Sequence, residues 1–421
     1  MKTIISLLFI TFTLSLSGLD RATIEKEVEA MFDRCVEIRR DLHRHPELSN
    51  REERTSRVIA EHLESLGIPV ERGIARHGVV AVIEGGRPGP TVAVRADIDA
   101  LPIEETIDVP YRSENPGVKH ACGHDVHTTV GMTVAELLWR HRSELPGKVI
   151  VFFQPAEEGP PPGEKGGAPL MIEDGFLSRH QPEAMFALHT MPTLEVGHVS
   201  FAPGPQMASS DTFAIEITGR QSHGAQPHLG IDAIVIGSQI VMALQSIDSR
   251  RIDPLEPVVV TIGTFHAGTR FNIVSDSAKL EGTLRTLSPA VRSESRRLIR
   301  EISEKTAKTF EGDATVTFQD DAANPVLVND EDLTRFSEKS LKETLGSDRV
   351  HIDPPRMIAE DFAHFSEALP SFYYFLGVRN EQKGITANLH TPGFDVDERS
   401  LAIGARTMTA LVMDYLTSYE R

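Results

Sequence analysis

Four short segments hold the residues best suited to chemistry. They are His120-Ala-Cys-Gly-His-Asp-Val-His127, Gln154-Pro-Ala-Glu-Glu-Gly159, Leu188-His189-Thr190 and Leu389-His390-Thr-Pro392. Imidazole, thiolate and carboxylate together are the ligand set of zinc and of neighbouring divalent metals. In an extended stretch, side chains two apart point the same way, so Cys122 and His124 would reach one metal centre together. Glu157 and Glu158 are adjacent and would point apart. One can bind metal while the other stays free to move a proton. Metal-assisted hydrolysis needs both: a Lewis acid to activate water and a base to handle the proton. Each segment alone is weak, because a lone Leu-His-Thr more often marks a structural histidine and paired glutamates a solvated face. Their joint occurrence carries the reading. His127 is open to three readings, a ligand, a partner behind a ligand or simply the first turn of the helix, and the structural one is preferred.

Elements that could position these segments are visible around them. Val79–Ile83, Thr91–Arg95, Val149–Phe153 and Ala184–Leu188 are short apolar runs bounded by turn residues. They are near-continuous in Val, Ile, Phe and Ala, as strands buried on both faces of a parallel sheet are. Ala22–Asp41, Glu52–Leu66 and Thr128–Arg142 carry helical spacing, and Gly67 stops the second. Strand alternating with helix predicts an α/β sheet, whose ligands bind beyond the carboxyl ends of the strands.

From about Ser209 the texture changes. Asp211–Thr218 alternates as a strand with one wet face. A helix at Ile231–Ser249, strands at Val258–Phe265 and Ala278–Thr286, a helix at Ala290–Phe310 and a strand at Ala314–Gln319 follow. That βαββαβ order is a small two-layer α+β unit. Asp330–Leu345 is helical again, and Phe372–Val378 is another apolar strand. The chain therefore reads as α/β, a mostly parallel sheet flanked by helices, over residues 19–208 and 321–421. An α+β domain is inserted at 209–320.

With 61 acidic and 43 basic residues the formal charge is −18, which repels nucleic acids and anionic membrane surfaces. No basic stripe reverses this locally. Residues 1–18 have Lys2, an apolar stretch Ile4–Leu16 and the small residues Ser15, Ser17 and Gly18. That is the pattern of a secretory signal peptide, so export (periplasmic or secreted) is expected. The stretch is shorter than the ~20 residues of a membrane span, and no stable span is expected after processing. Of the two cysteines, Cys122 is read as a ligand and Cys35 as a free helix residue.

The motifs in their order resemble the M20 metallopeptidase family in its amidohydrolase branch, which includes hippurate hydrolases, N-acyl amino acid hydrolases and plant auxin-conjugate hydrolases. The resemblance starts at Arg40-Asp-Leu-His-Arg-His-Pro-Glu47 and Arg95-Ala-Asp-Ile-Asp-Ala-Leu-Pro102. It continues through Cys122-Gly-His-Asp125, Pro155-Ala-Glu-Glu-Gly159, Ser222-His-Gly-Ala-Gln-Pro-His228, Gly282-Thr-Leu-Arg285 and Glu360-Asp-Phe362 to His390-Thr-Pro392.

The resemblance implies roles residue by residue. Cys122, His124, Glu158, His189 and His390 match ligands of two divalent ions; zinc or manganese is expected, with cobalt or nickel feasible. Glu157 matches the general base, and Asp99 an aspartate that holds the site's geometry. His223 matches a histidine that reaches a neighbouring subunit's site, which implies a homodimer through the inserted domain. Asn272 and Arg285 match residues that hold the substrate, an N-acyl amino acid. Two departures stand out: Ser275 where the family usually has proline, and the proline-rich loop after Glu158. Asp97 stands where the peptidase branches have a metal-binding histidine. The competing readings are a metallo-exopeptidase acting on short peptides and a secreted binding protein that has kept the fold and lost the chemistry.

Overall fold

The computed structural model describes residues 19–418; the expected leader, residues 1–18, lies outside them. The chain opens with α1 (Arg21–Arg44), capped by the Asp20 carboxylate on the Thr23 N–H. Ile24, Val28, Met31 and Cys35 form its buried stripe, at the spacing that puts side chains on one helical face. Then come α2 (Glu53–Ser65), β1 (Val70–Ile74), β2 (Gly78–Glu84), β3 (Arg87–Asp97), α3 (His124–Arg140) and β4 (Pro146–Gln154). They are followed by α4 (Gly167–Glu173), α5 (Phe176–His180), β5 (Ala184–Glu195), β6 (Val199–Phe201) and β7 (Gly204–Met207). A second group comprises β8 (Asp211–Thr218), β9 (Ser222–His223), α6 (Ala233–Leu244), β10 (Val258–Ala267), β11 (Ile273–Val274), β12 (Ser277–Thr286), α7 (Pro289–Thr309) and β13 (Asp313–Phe318). The chain ends with β14 (Leu327–Asn329), α8 (Glu331–Leu345), β15 (Val350–Ile352), α9 (Ala363–Ala368), β16 (Ser371–Arg379) and α10 (Arg399–Ser418).

Strands from both flanks of the second group share one eight-stranded sheet, ordered β1-β2-β4-β3-β5-β16-β6-β15. Its centre, β4-β3-β5-β16, is parallel. The β1–β2, β2–β4 and β6–β16 pairs are antiparallel, so the sheet is mixed toward its edges. Alternate residues of one strand feed two cores. Val149, Val151 and Phe153 pack with α1, α3 and α10, whereas Ile150 and Phe152 pack with α4, α5 and α9. Burial on both faces is why these strands read as unbroken apolar runs.

The second group forms a separate four-stranded antiparallel sheet, β10-β12-β8-β13. Phe213, Ile215, Ile217, Leu280 and Leu284 meet Ile236, Ile240, Leu298 and Ile299 of α6 and α7 in its own core. The βαββαβ order is the one expected. The short pair β9–β11 was not; it sets His223 opposite Ile273. Helix α6 is shorter than the expected Ile231–Ser249, because it starts after its Asp232 cap and the chain widens into a separate π-helical turn at Ile247–Arg251.

Candidate metal centre

Strands β3, β4 and β5 are neighbours and deliver three of the site's segments from one edge of the sheet. Asp97 ends β3, Gln154 ends β4, and His189 and Thr190 lie inside β5, which runs beyond the expected Ala184–Leu188. The fourth piece needs a correction. Cys122 and His124 do not lie on an extended stretch: Gly123 is left-handed (φ 86°) and His124 opens α3. A Cβ on Gly123 would lie 2.3 Å from Thr190 Oγ1, so only glycine lets this bend press onto β5. The Thr190 hydroxyl fastens it by donating to the Cys122 carbonyl at 2.8 Å.

Five side chains converge there. Cys122 Sγ lies 3.3 Å from His189 Nε2 and 3.2 Å from His390 Nε2. Glu158 Oε1 lies 3.2 Å from His390 Nε2 and 3.9 Å from His124 Nε2. Ligand atoms of Cys122, His124 and His189 lie within 4.8 Å of one another, as do those of Cys122, Glu158 and His390. The thiol is common to both groups, so it could bridge two ions. Two atoms aimed into the cluster, His124 Nε2 and Glu158 Oε1, are buried with no hydrogen-bond partner. Buried polar atoms are rarely orphaned, and these two are an imidazole nitrogen and a carboxylate oxygen facing a thiol. The donor set therefore fits divalent cations, and the cluster is a candidate dinuclear centre.

Neighbouring groups preset the lone pairs of the two buried histidines, His124 and His189. Asp99 accepts from His124 Nδ1 at 3.1 Å, which turns Nε2 to the cluster. The other Asp99 oxygen accepts from the Glu158 N–H at 3.0 Å and the Ser49 hydroxyl at 2.7 Å. His189 Nδ1 donates to the Thr190 carbonyl at 2.8 Å and leaves Nε2 for the thiol. Such outer partners fix tautomers in metal sites. His127 is excluded by the same logic. Its Nε2 accepts the Thr190 N–H at 2.8 Å and its Nδ1 donates to Asp97 at 2.5 Å, so neither nitrogen is free. It is structural, as read from the sequence.

The electrostatics call for cations. Burial, then Glu158 and Glu157, push the Cys122 thiol well up. Burial pulls His124 down, but Asp97 and Asp99 outweigh it and hold the imidazolium up to about 10. Burial, then Glu360 and Glu158, push the Glu157 carboxyl well above the usual range. Glu157 stands between two groups: its Oε2 lies 3.7 Å from His124 Nε2, and an oxygen of it also comes within 4.8 Å of ligand atoms of Glu360 and Asp361. Buried Arg95 compensates that group, with ion pairs to Glu360 at 2.8 Å and Asp361 at 3.1 Å and a further one to Asp97. In the sequence Glu360 and Asp361 stand only as letters of a motif, and Asp97 only where the peptidase branches have a histidine. The available hint was Arg95 and Asp97 at the end of an apolar strand, charges where the pattern asks for apolar residues.

The inserted sheet carries the remaining candidates. The β9–β11 pair joins His223 and Asn272 locally, with the Gly224 N–H donating to the Asn272 carbonyl at 2.8 Å. His223 Nδ1 accepts from the Ala225 N–H at 3.0 Å, so exposed Nε2 carries the proton. Ser275, the departure from proline, is buried; its hydroxyl donates to the Ser277 carbonyl at 2.8 Å and accepts from the Gly268 N–H at 3.2 Å. Hydrogen bonds there hold the turn that carries Asn272. Among the described residues, half-buried Arg285 hydrogen-bonds only its neighbour's carbonyl, at 3.2 Å from Leu284, while Arg292 and Arg296 pair with nearby Asp211. Among the described residues, no hydrogen bond or ion pair joins His223, Asn272 or Arg285 to the metal cluster.

Comparison with known proteins places this arrangement. Residues 93–414 match the family model described as peptidase family M20/M25/M40. The chain is 39% identical over 393 residues to thermostable carboxypeptidase 2 of Saccharolobus solfataricus, covering 93% of this chain and 98% of that protein. It is 37% identical over 390 residues to IAA-amino acid hydrolase ILR1-like 5 of Arabidopsis thaliana, covering 92% and 88%. The crystal structure of the Bacillus subtilis YXEP protein, a dinuclear metal-binding peptidase from the M20 family, matches with a TM-score of 0.80 at 33% identity, over 93% of this chain and all of that one (100%).

Proposed function

The chain belongs to peptidase family M20/M25/M40 and is a metal-dependent hydrolase of amide bonds, and from that premise we propose that its substrates are N-acyl amino acids. The observation that carries the reading is the difference between neighbours: of the two, only Glu158 groups with Cys122 and His390, while Glu157 reaches from His124 to Glu360 and Asp361. We assign Cys122, His124, Glu158, His189 and His390 as the ligands of two divalent ions. Ions held there supply Lewis acidity to water and to the scissile carbonyl.

Glu157 takes the proton of the attacking water and passes it to the leaving nitrogen. Arg285, with no acidic partner of its own, grips the free carboxylate of the substrate. Asn272 helps hold the substrate. His223 Nε2 donates to the oxyanion on the scissile carbonyl, in the site of a partner subunit. Dimerisation through the insertion is supported by its surface: β10 is an edge strand, and Ile234, Val235, Met242, Phe265 and Phe271 are exposed on or near it. Among the described residues no helix is long and apolar enough to cross a membrane. Export rests on the leader pattern of residues 1–18 alone.

The relative named as an IAA-amino acid hydrolase supports the acyl amino acid reading. The relative named as a carboxypeptidase favours a second reading, release of a C-terminal amino acid from short peptides. Both substrates end in a free carboxylate, so Arg285 serves either. Turnover of acetyl, benzoyl and indolyl amino acids beside free-amine dipeptides, on protein loaded with zinc, manganese, cobalt or nickel, separates them. Faster cleavage of the blocked substrates is expected. Cleavage of free-amine peptides alone would overturn the first reading in favour of the second.

A further inference from the structure

The segment Glu47–Glu52 joins α1 to α2 and has no role in the reading above. It is polar, yet Ser49, Asn50 and Glu52 expose only 7%, 2% and 0% of their surface. Connecting loops normally stay at the surface, where water satisfies them. This one finds its partners in the loops of the metal centre. Glu47 O accepts the Ala100 N–H at 2.8 Å, Ser49 donates to Asp99, and Asn50 donates to the Lys165 carbonyl at 3.0 Å.

Glu52 is the most telling member. It stands at the N-cap position of α2, but its side chain caps nothing there. Glu47 does that work, accepting the N–H groups of Arg54 and Thr55 at 3.0 and 2.7 Å. Glu52 turns instead to the metal centre and accepts the Ala156 N–H at 2.8 Å. Its other oxygen is buried without a hydrogen-bond partner. Burial, then the nearby Asp99 carboxylate, push the Glu52 carboxyl up to about 8.

The residue it holds is unusual. Ala156 has φ 57°, in the left-handed region that disfavours any residue with a Cβ. Such backbone persists only where its surroundings over-determine it. Ala156 immediately precedes Glu157 and Glu158, so its conformation sets which way each glutamate leaves the turn. We propose that Glu52 is a positioning residue whose hydrogen bond to the Ala156 N–H holds the 155–158 turn, keeping Glu158 beside Cys122 and His390 and Glu157 between His124 and Glu360. This inference rests on the roles given above to Glu157 and Glu158.

Three variants of the full chain test it. Glu52→Gln keeps an acceptor at the same reach and can donate its amide toward Asp99. Glu52→Asp keeps the carboxyl group but falls short by one methylene. Glu52→Ala removes the contact. The readouts are kcat and KM on an acyl amino acid, zinc affinity by chelator competition, and hydrogen exchange of the peptide spanning 155–158. Glu52→Gln is expected within ~3-fold of wild type throughout, whereas Asp and Ala lose ~10-fold or more in kcat and in zinc affinity, the scale for outer partners of a metal site. In those two, KM is unchanged and exchange in 155–158 quickens. Should the Ala variant fail to fold, the Gln and Asp pair decides. Wild-type kcat and protection in Glu52→Asp, or a Gln variant as impaired as Asp, would overturn the proposal. Failure of the Glu157 assignment looks different: Glu157→Gln would then turn over normally while exchange of the turn still followed Glu52.

Discussion

Asp99→Asn is the perturbation whose effect the structure defines most closely. The native carboxylate accepts on both sides: from His124 Nδ1 at 3.1 Å, and from the Glu158 N–H at 3.0 Å and Ser49 at 2.7 Å. An asparagine has one accepting end and one donating end. If its oxygen faces His124, its NH₂ meets the Glu158 N–H, two donors in a buried space. That leaves the backbone of a ligand unsatisfied, at a cost of about 1–3 kcal/mol. If it flips, its NH₂ faces His124 Nδ1, which must then accept, and the proton moves to Nε2. A protonated Nε2 cannot bind metal. Either way metal affinity falls, and the scale for losing a carboxylate behind a ligating histidine is ~10–100-fold. That corresponds to about 1.4–2.8 kcal/mol. The assay is zinc affinity by chelator competition, with circular dichroism to show the fold intact. Turnover at saturating zinc should recover in part, because occupancy rather than the base is damaged. Affinity within twofold of wild type would refute the claim that Asp99 sets the His124 tautomer.

Arg285→Ala is expected to lower kcat/KM on acyl amino acids while sparing their amides; an unchanged ratio between the two places carboxylate recognition elsewhere. His223→Ala should lose ~10²–10³ in kcat, the range for one oxyanion donor. Mixing it with inactive Glu157→Gln subunits should restore activity through one complete site per mixed dimer; none, with subunit exchange confirmed, argues against action across an interface. Away from the centre, buried Glu136 pairs with Arg34 at 2.5 Å and with Arg140. Burial raises its carboxyl, but His62 and Arg34 outweigh this and hold it down to about 2. A depressed folded-state value stabilises above the unfolded value of about 4.3 and is lost as pH falls through the folded one. Allowing for the exposure of its arginine partners, Glu136→Gln should cost about 2 kcal/mol in urea unfolding at pH 7. The deficit should shrink between pH 5 and about 2; a deficit independent of pH would contradict this.

The sequence made the ligand segments legible because their residue types are rare and come in clusters at the ends of apolar runs. Glu157 and Glu158 were separable by adjacency alone. Cys122 and His124 meet in one cluster, but not through the extended geometry expected, since the bend at Gly123 depends on Thr190, far away in the chain. Strands β6 and β15 span three residues each, too few for any periodicity to show. The antiparallel edges were hidden because pairing direction is a long-range property. Glu52 carries no local mark of its burial, and Arg95 only that of a charge at the end of an apolar run. Each is a charged residue whose partners lie on other segments, and only burial reveals it.

The central claim is that one glutamate of an adjacent pair binds metal while the other moves the proton. Metal content and turnover of Glu157→Gln, measured on the same sample, test it most directly. Two divalent ions per chain, with kcat on an acyl amino acid down by ~10² or more, are expected for the loss of a general base. Near-normal turnover, or loss of an ion with the substitution, would contradict the assignment.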